Sequence, residues 1–451
     1  MKVLSERSRS PVLYRSIEGS AEGSFNYLRF CSLSSLKFMV RRIVVTGIGI
    51  VTPIGIGVNS FWEAALTGTC GVKQISNFDA SKYKSKIAAE VQGFNPNDFL
   101  PDINTDRMDR FAQFGSVATE MAVKDSGLDM SSEDPYRVGV SIGSGMGGMI
   151  MAERQITALH TYGRPEKVNP NSIPMVTLNA ASGQIAIQFV AKGPNITTST
   201  ACSSSSHSIG QAADLIKWGK ADVMIAGGAE AGISPLAVAG FCSLRTLSTC
   251  NDEPEKAVRP FDKLRDGFVM GEGAGTLILE SLEHAQKRKA EIYAEVAGYS
   301  STSEASHMVI PEQSGKEMVK TMELALDDAK ISGDQVDYIN AHATSTPIGD
   351  PVEIKAIRHL FKDHANKIVI NATKTLVGHT IGAAGALAAI VCTLSIRDGA
   401  MHPNLNYDDP DPACAMDMIN RTVVEKNVNV TLLNSFGFGS NNSSLILRKF
   451  E

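Results

Sequence analysis

The stretch TACSSSSHSIG, Thr200 to Gly210, lies where a predicted strand passes into a predicted helix. The residues before it, PNITTS, are rich in β-branched side chains, and the residues after it, QAADLIKWG, have helical spacing. A thiol at such a junction, Cys202, faces the unpaired N–H groups of a helix start, which favour the nucleophilic thiolate. Cysteine is also a common small buried residue, and this segment alone does not separate the two interpretations.

Two histidines also follow predicted strands. ATKTLVGHTIGAAGA, residues 372–386, puts His379 shortly after Lys374 and before a helix so rich in Gly and Ala that another backbone must pack closely against it. NAHATSTPIGD, residues 340–350, puts His342 beside a cluster of hydroxyls. Either histidine alone is more often structural, but strand ends in an α/β sheet meet at a shared edge, where ligands bind. Cys202 and the two histidines need to be adjacent only in space.

Strand and helix patterns alternate from RRIVVTGIGIVTPIG, residues 41–55, to the final pair of strands in NVTLLNSFGFGSNNSSLILRKF, residues 429–450. This order predicts an α/β fold with a buried sheet. Because a strand ending in a reactive side chain precedes a small-residue helix twice, we expect an internal duplication. Its divide is predicted near the charged stretch 281–296.

Composition excludes several classes of protein. The net charge of −5 argues against a nucleic-acid surface, which would need a basic excess. Seven widely spaced cysteines without a CxxC pair indicate neither a zinc site nor a disulfide framework, and they fit a reducing compartment. The small-apolar run 383–396 is too short to span a bilayer, which takes about 20 residues. GSGMGG, residues 143–148, matches a dinucleotide motif weakly, since no strong helix is predicted directly behind it.

The first 38 residues differ from the rest. They are rich in Ser and carry four arginines, but Glu6, Glu18 and Glu22 are unusual for a transit peptide. The segment is either an organellar presequence or an extension upstream of a true start at Met39, and we expect it to be poorly ordered. A cytoplasmic location is predicted, with mitochondrion or plastid as the alternative if residues 1–38 are a presequence.

From about residue 40 to residue 451 the chain resembles the elongating β-ketoacyl-[acyl-carrier-protein] synthases, condensing enzymes of the thiolase superfamily. The resemblance rests on several spaced motifs: VVTGIGIVTPIG, TACSSSSHSIG, ADVMIAGGAEA, RPFDKLRDGFVMGEGAG, NAHATSTPIGD, TKTLVGHTIGAAGA and NSFGFGSNNSSL. It implies a thiolase-like α/β fold with two duplicated halves in α-β-α-β-α layers. Residues 39–290 would carry the nucleophile and residues 291–451 the two histidines. The expected assembly is a homodimer.

The resemblance also implies an activity, the decarboxylative Claisen condensation of malonyl and acyl groups carried by acyl carrier protein in fatty acid elongation. Neither a metal nor a dissociable cofactor is implied. The residues that match the family's site are the catalytic Cys202, His342 and His379; the supporting Lys374, Glu353 and Phe438; the substrate-binding Thr344, Thr346 and Met146; and, for carrier-protein docking, Arg245, Lys82, Lys84 and Lys86.

Some positions depart from the family pattern. Ala388 stands where the family usually has a glutamate, so Lys374 would lose one carboxylate partner and keep Glu353. Ser440 follows Phe438 and Gly439 where the family usually has glycine. Three rival functions remain: a ketosynthase of polyketide metabolism, a catalytically silent partner subunit, and a nicotinamide dehydrogenase. Retention of the thiol and both histidines argues against the silent subunit.

Overall fold

The computed structural model describes residues 41–451. The predictions for residues 1–38 and for a start at Met39 lie outside the described residues. In the described part, the strands are β1 (Ile43–Thr52), β2 (Gly55–Ile56), β3 (Lys73–Gln74), β4 (Ile87–Ala88), β5 (Val138–Gly143), β6 (Asn195–Thr198), β7 (Val223–Glu230), β8 (Gly273–Ser281), β9 (Ala294–Ser303), β10 (Tyr338–Asn340), β11 (Val369–Asn371), β12 (Ala400–Met401), β13 (Val424–Glu425), β14 (Val430–Gly437) and β15 (Asn441–Arg448).

The α-helices alternate with these strands, as the sequence predicted. They are α1 (Val58–Leu66), α2 (Arg110–Ser126), α3 (Met149–Tyr162), α4 (Ser172–Val176), α5 (Ala180–Gln188), α6 (Ser204–Lys217), α7 (Pro235–Leu244), α8 (Leu282–Lys287), α9 (Lys316–Ala329), α10 (Gly349–Phe361), α11 (Lys374–Val377) and α12 (Ala384–Asp398).

The main sheet shows the predicted duplication in its topology. The first half of the chain contributes the order β6-β5-β7-β8-β1, and the second half contributes β11-β10-β14-β15-β9. In both halves the first three strands of that order are parallel to one another. Each of the last two strands pairs antiparallel with the strand before it. The halves join where β1 pairs with β9. Strands that are equivalent in chain order therefore occupy equivalent places, which confirms the duplicated fold class.

The helices pack in layers around the two halves of the sheet. Helices α2 and α5 pack on the first half, and α9 packs on β9 and β15 of the second half. Between them, α6 packs on β5 and β7, α12 packs on β14 and β8, and the two helices contact each other. This is the predicted five-layer arrangement. The proposed boundary at residues 290 and 291 falls between α8 and β9, and its status as a domain boundary stays a prediction.

Helix α12 is the core helix that its composition predicts. The apolar window Ile381–Asp398 has the length and hydropathy of a membrane span, but 89% of it is buried inside the structure. Its glycine explains the close approach that the sequence required. A Cβ on Gly385 would lie 2.1 Å from Ser206 Oγ and 2.8 Å from the Ser206 backbone nitrogen. The nucleophile helix α6 is therefore the backbone that packs against α12.

Local structure sets the starts of three helices. Helix α1 begins after Gly57, its N-cap residue, which has a φ of 95°. Helix α2 begins only after Asp109, whose side chain accepts the Phe111 N–H, because the preceding residues form a separate turn. A full helix, α3, does open directly behind the GSGMGG turn.

Candidate active site

Cys202 lies in a tight turn between β6 and α6. The turn is a 3-10 segment, Ala201–Ser203, and Ala201 adopts a φ of 51°, which is unfavourable for a residue with a side chain. Ser204 Oγ holds this conformation, because it donates to the Ala201 carbonyl at 2.7 Å and accepts the Thr200 N–H at 2.9 Å. The thiol therefore projects from a strained turn.

The serines that follow Cys202 connect its helix to neighbouring elements. Ser203 Oγ donates to the carbonyls of Ser435 and Asn441 at 3.0 and 2.7 Å. Ser205 Oγ accepts the Ala386 N–H of α12 at 2.9 Å, and Ser206 Oγ lies 2.7 Å from Ser435 Oγ. All four serines of the run are buried, so these bonds satisfy polar groups that would otherwise be costly.

The two predicted histidines converge on the thiol. His379 Nε2 lies 3.0 Å from Cys202 Sγ, and the His342 and His379 rings meet edge to face with centroids 5.6 Å apart. One donor atom from each of these three residues lies within 4.8 Å of the others. Among the described residues, Nδ1 of neither ring has a hydrogen-bond partner. The structure therefore brings together the three residues that the sequence analysis named as catalytic.

Burial dominates the electrostatics of the thiol. It raises the pKa of Cys202 to about 11, although the Phe438 N–H, the Lys374 ammonium and the N–H of Cys202 itself act to lower it. Burial of the resting site therefore works against the thiolate form that the helix start favours. The N–H groups do face the sulfur, but they do not offset the loss of water around a buried anion.

Both imidazoles are held neutral. Burial lowers the pKa of His342 and of His379 well below the usual range, and the Lys374 ammonium lowers both pKa values further. A neutral imidazole carries one N–H donor and one acceptor nitrogen. The site therefore offers two uncharged hydrogen-bond donors beside the sulfur instead of two cations.

Lys374 is a buried cation at the start of α11. Burial lowers its pKa to about 8, while attraction to Glu353 and Cys202 acts to raise it. Within residues 41–451 no carboxylate oxygen forms a salt bridge of 4.0 Å or less with Lys374. The predicted pairing with Glu353 is thus an influence through space and not a direct contact. Ala388 lies buried in α12 and adds no carboxylate.

Glu353 instead anchors the backbone that carries His342. Its Oε1 accepts the His342 N–H at 2.8 Å, and its Oε2 accepts the Ala343 N–H at 2.7 Å. Asn434 Nδ2 donates to Oε1 at 3.1 Å. Burial raises the pKa of Glu353, and these donors oppose the rise. The carboxylate fixes the strand end at which His342 projects.

A second buried carboxylate, Glu230, was not predicted as a site residue. It ends β7, and it accepts the N–H groups of Gly145, Met146 and Gly382 at 2.7, 3.2 and 2.9 Å. Burial raises its pKa to about 7. Since α3 follows GSGMGG directly, the earlier reason against a dinucleotide was wrong. The better reason is that the Glu230 carboxylate already accepts the N–H groups of this turn that a dinucleotide phosphate would need.

Other supporting residues could have been found only as polar members of quoted motifs. His207 Nδ1 lies 2.7 Å from Thr200 Oγ1, and its Nε2 lies 3.2 Å from the Asn442 carbonyl, so it braces the nucleophile turn against β15. Arg265 Nε donates to the Thr346 carbonyl at 3.0 Å and fixes the loop after His342. Buried polar residues in a sequence carry no signal of which loop they will hold.

The loop after β14 closes over the thiol. Phe438 contributes its N–H toward the sulfur, and Ser440 adopts a φ of 64° two residues later. Ser440 Oγ donates to the His307 carbonyl at 3.0 Å, and the Gly439 N–H donates to the Met308 carbonyl at 2.8 Å. The Ser440 side chain therefore ties this loop to the segment 304–311.

A cavity of about 530 Å³ leads from the surface to the cluster. Cys202, His342, His379, Phe438 and the predicted substrate residues Thr344, Thr346 and Met146 all line it, together with the exposed Arg245. Thr344 Oγ1 and Thr346 Oγ1 lie 3.2 Å apart. Lys82 and Lys84 are exposed and Lys86 is half-buried, but none of the three is among the lining residues.

The sequence matches two family models that follow one another along the chain. The β-ketoacyl synthase N-terminal domain matches residues 40–285, and the C-terminal domain matches residues 293–408. The chain belongs to the β-ketoacyl synthase family.

Named relatives agree with this assignment. The chain is 46% identical over 409 residues to the 3-oxoacyl-[acyl-carrier-protein] synthase 2 of Coxiella burnetii, covering 91% of this chain and 99% of that protein. It is 43% identical over 410 residues to the protein of that name from Vibrio harveyi, with the same coverage. The resemblance found in the motifs is therefore confirmed.

Solved ketosynthases share the fold. The ketosynthase of the AntDE:AntF complex, a type II polyketide ketosynthase with its acyl-carrier protein, superposes with a TM-score of 0.85 at 34% identity. A β-ketoacyl synthase from Burkholderia phymatum gives 0.84 at 35% identity. Each comparison covers 91% of this chain and all of the other. The thiolase-like fold class is confirmed.

The charge arrangement predicts how the thiol responds to loss of its nearby cation. In Lys374→Met the thiolate loses its stabilising ammonium, so the pKa of Cys202 rises and thiolate becomes scarcer at pH 7. We expect alkylation of Cys202 by iodoacetamide to slow by roughly tenfold, the effect of about one pKa unit. The modified peptide is quantified by mass spectrometry.

Lys220→Met provides the matched control, since Lys220 is exposed beyond the far end of α6. Its alkylation rate should equal that of the unmodified protein. An unchanged rate in Lys374→Met would contradict the electrostatic role given to Lys374.

Proposed function

We propose that this chain catalyses the decarboxylative Claisen condensation of malonyl and acyl groups that acyl carrier protein presents as thioesters, as in fatty acid chain elongation. The observation that carries the proposal is the contact of His379 with the Cys202 sulfur at the end of the cavity, with His342 beside both. The names of the relatives, 3-oxoacyl-[acyl-carrier-protein] synthase 2, support the same reaction.

In the first step, the sulfur of Cys202 attacks the acyl thioester carbonyl. The new bond joins Cys202 Sγ to the acyl carbon, and the bond to the phosphopantetheine sulfur breaks. The thiol proton passes to that leaving sulfur, with His379 Nε2 positioned beside it at 3.0 Å. The N–H groups of Cys202 and Phe438 face this position and suit the oxyanion that forms there.

In the second step, the malonyl thioester loses carbon dioxide. The electron pair of the broken C–C bond passes into an enolate, whose oxygen needs donors. His342 and His379 are both neutral, so each can present one N–H to that oxygen. The enolate carbon then attacks the acyl carbonyl on Cys202, and the C–S bond to Cys202 breaks. The leaving thiolate takes a proton from solvent, and the product, longer by two carbons, stays on the sulfur of the carrier protein.

Carrier-protein recognition uses the mouth of the cavity. Thr344 and Thr346 line the cavity with hydroxyls 3.2 Å apart that can hold the phosphopantetheine arm, and Met146 lines it as a candidate acyl-pocket residue. Arg245 lines the same cavity and, with Lys82 and Lys86, supplies positive charge for an acidic partner. The steps need only side chains and backbone, and independence from a resident metal or redox cofactor stays a prediction.

Sequence identity to named relatives favours fatty acid elongation over polyketide synthesis. The relatives named as 3-oxoacyl synthases are 43–46% identical, whereas the structural neighbour with a polyketide carrier protein is 34% identical. The thiol at the cavity also argues against a silent partner subunit. The cytoplasmic location stays a prediction, because the leading segment lies outside the described residues.

We propose a homodimer from an exposed apolar surface beside an edge strand. In the described sheet β6 pairs only with β5, so its other edge is open. Ile173 in α4 and Ile187 in α5, just before this strand, are 74% and 73% exposed. Open edges and large exposed apolar side chains are typical of surfaces that a second copy covers.

The nucleophile assignment predicts a covalent intermediate. Cys202→Ala should show no acyl mass increase after incubation with acyl-carrier protein, because the atom that accepts the acyl group is gone. Intact-protein mass spectrometry measures this. Cys250→Ala, which removes a thiol on a surface loop, should acylate normally. Normal transacylation by Cys202→Ala would refute the assignment.

The donor role of His379 predicts unequal losses in the two steps. In His379→Asn the enolate loses one donor, so malonyl decarboxylation should fall by about 10²–10³-fold. Acyl transfer should fall much less, since a ring with so low a pKa is a weak base for the thiol. Carbon dioxide release and acyl loading are assayed separately, and equal losses would count against this role.

The proposed dimer contact predicts that a charge on its apolar surface weakens association. Ile187→Asp should shift the protein toward monomer in sedimentation velocity. Trp218→Asp changes a side chain that is also exposed but lies at the C-terminal end of α6. It should leave the sedimentation coefficient unchanged. A monomeric unmodified protein, or equal effects of both changes, would contradict the proposed surface.

A further inference from the structure

The three residues that converge in the cavity are also a metal-ligand set. Thiolate and imidazole are the donors that Zn²⁺ prefers, with bonds of about 2.3 Å to sulfur and 2.0 Å to nitrogen. Donor atoms around such an ion are roughly 3.5 Å apart. The Cys202, His342 and His379 donors lie within 4.8 Å of one another, and His379 Nε2 is 3.0 Å from the sulfur. Small side-chain rotations would close the set around one ion.

The site is preformed for coordination in two further respects. All three side chains are buried. The cavity reaches the cluster and leaves room for a water molecule or other fourth ligand. In the part of the chain that the structure describes, this is the only cluster of three or more Cys, His, Asp or Glu donors with this geometry.

The surrounding charges act in opposite directions. The Lys374 ammonium disfavours a second cation, whereas the carboxylates of Glu353 and Glu230 favour one. With a thiolate ligand, a bound Zn²⁺ leaves a net charge of +1 at the centre. Hard cations such as Mg²⁺ and Ca²⁺ should bind weakly at this site, because they require oxygen ligands.

We propose that Cys202, His342 and His379 form a binding site for a borderline or soft divalent cation such as Zn²⁺, and that the bound ion inhibits acylation. On binding, the S–H bond of Cys202 breaks, its proton passes to solvent, and an S–Zn bond forms. Each imidazole donates one nitrogen lone pair, and no oxidation occurs. The inhibition rests on the proposed function; the binding does not.

Cobalt provides the spectroscopic probe. The full chain carrying Cys70→Ser, Cys242→Ser and Cys250→Ser, which removes the half-buried thiols of residues 41–451, is titrated with Co²⁺. We expect one equivalent to produce the visible bands of tetrahedral cobalt and a thiolate-to-metal charge-transfer band in the near ultraviolet. Zn²⁺ should abolish both, and Mg²⁺ should not.

Ligand variants identify the site in the same background. Cys202→Ala should remove the charge-transfer band, and His342→Asn or His379→Asn should weaken cobalt binding at least tenfold, on the order expected for a weakened metal shell. His284→Asn, a change at a histidine that pairs with Glu280 and Glu133 elsewhere, should bind cobalt normally. Absence of the band in the background protein, or its survival in Cys202→Ala, would overturn the proposal.

Acyl loading in chelator-treated buffer is measured in parallel, with and without added Zn²⁺. Loading that proceeds without metal, while no cobalt spectrum appears, rejects the metal site and leaves the condensing activity intact. A cobalt spectrum without acyl loading in any buffer rejects the condensing activity and leaves the metal site intact. Loading that Zn²⁺ blocks and chelator restores supports the inhibition.

Discussion

The close packing of α6 against α12 is the constraint on which the site depends. Each helix follows the equivalent strand of its half, so the duplicated topology places their N-terminal ends together. Contact at this distance requires Gly385, where a Cβ would collide with Ser206. The serine hydroxyls of α6 then bond to α12 and β14. Cys202 and His379 meet because the two helix starts meet.

Two buried carboxylates hold the loops of the site without contacting the reacting atoms. Glu353 accepts the N–H groups at His342, and Glu230 accepts those of the GSGMGG turn and of Gly382, just after His379. Each stands near the end of a strand or the start of a helix, and each satisfies donors that would otherwise be unpaired in a dry interior. The charge of Glu353 also attracts the buried Lys374, which has no direct salt bridge to any other described residue.

Burial sets the protonation of the working groups. It raises the pKa of the thiol and lowers the pKa of both imidazoles, which leaves a neutral cluster at rest. Such a cluster can donate hydrogen bonds to an oxyanion, and a metal ion can also displace the thiol proton, which then passes to solvent. The nucleophilic chemistry and the proposed metal binding therefore use the same three atoms, and they exclude each other.

The sequence by itself determined the order of elements, the duplication, the family and the identity of Cys202, His342 and His379, because periodicity and spaced motifs are local properties of the chain. It did not determine where α2 begins, that a helix follows GSGMGG, or that Glu230 fills that turn. It also could not show that Lys374 has no direct carboxylate partner among the described residues, or that burial outweighs the helix start at the thiol. Only the tertiary structure decided these points, since desolvation and long-range hydrogen bonds depend on which distant segments pack together.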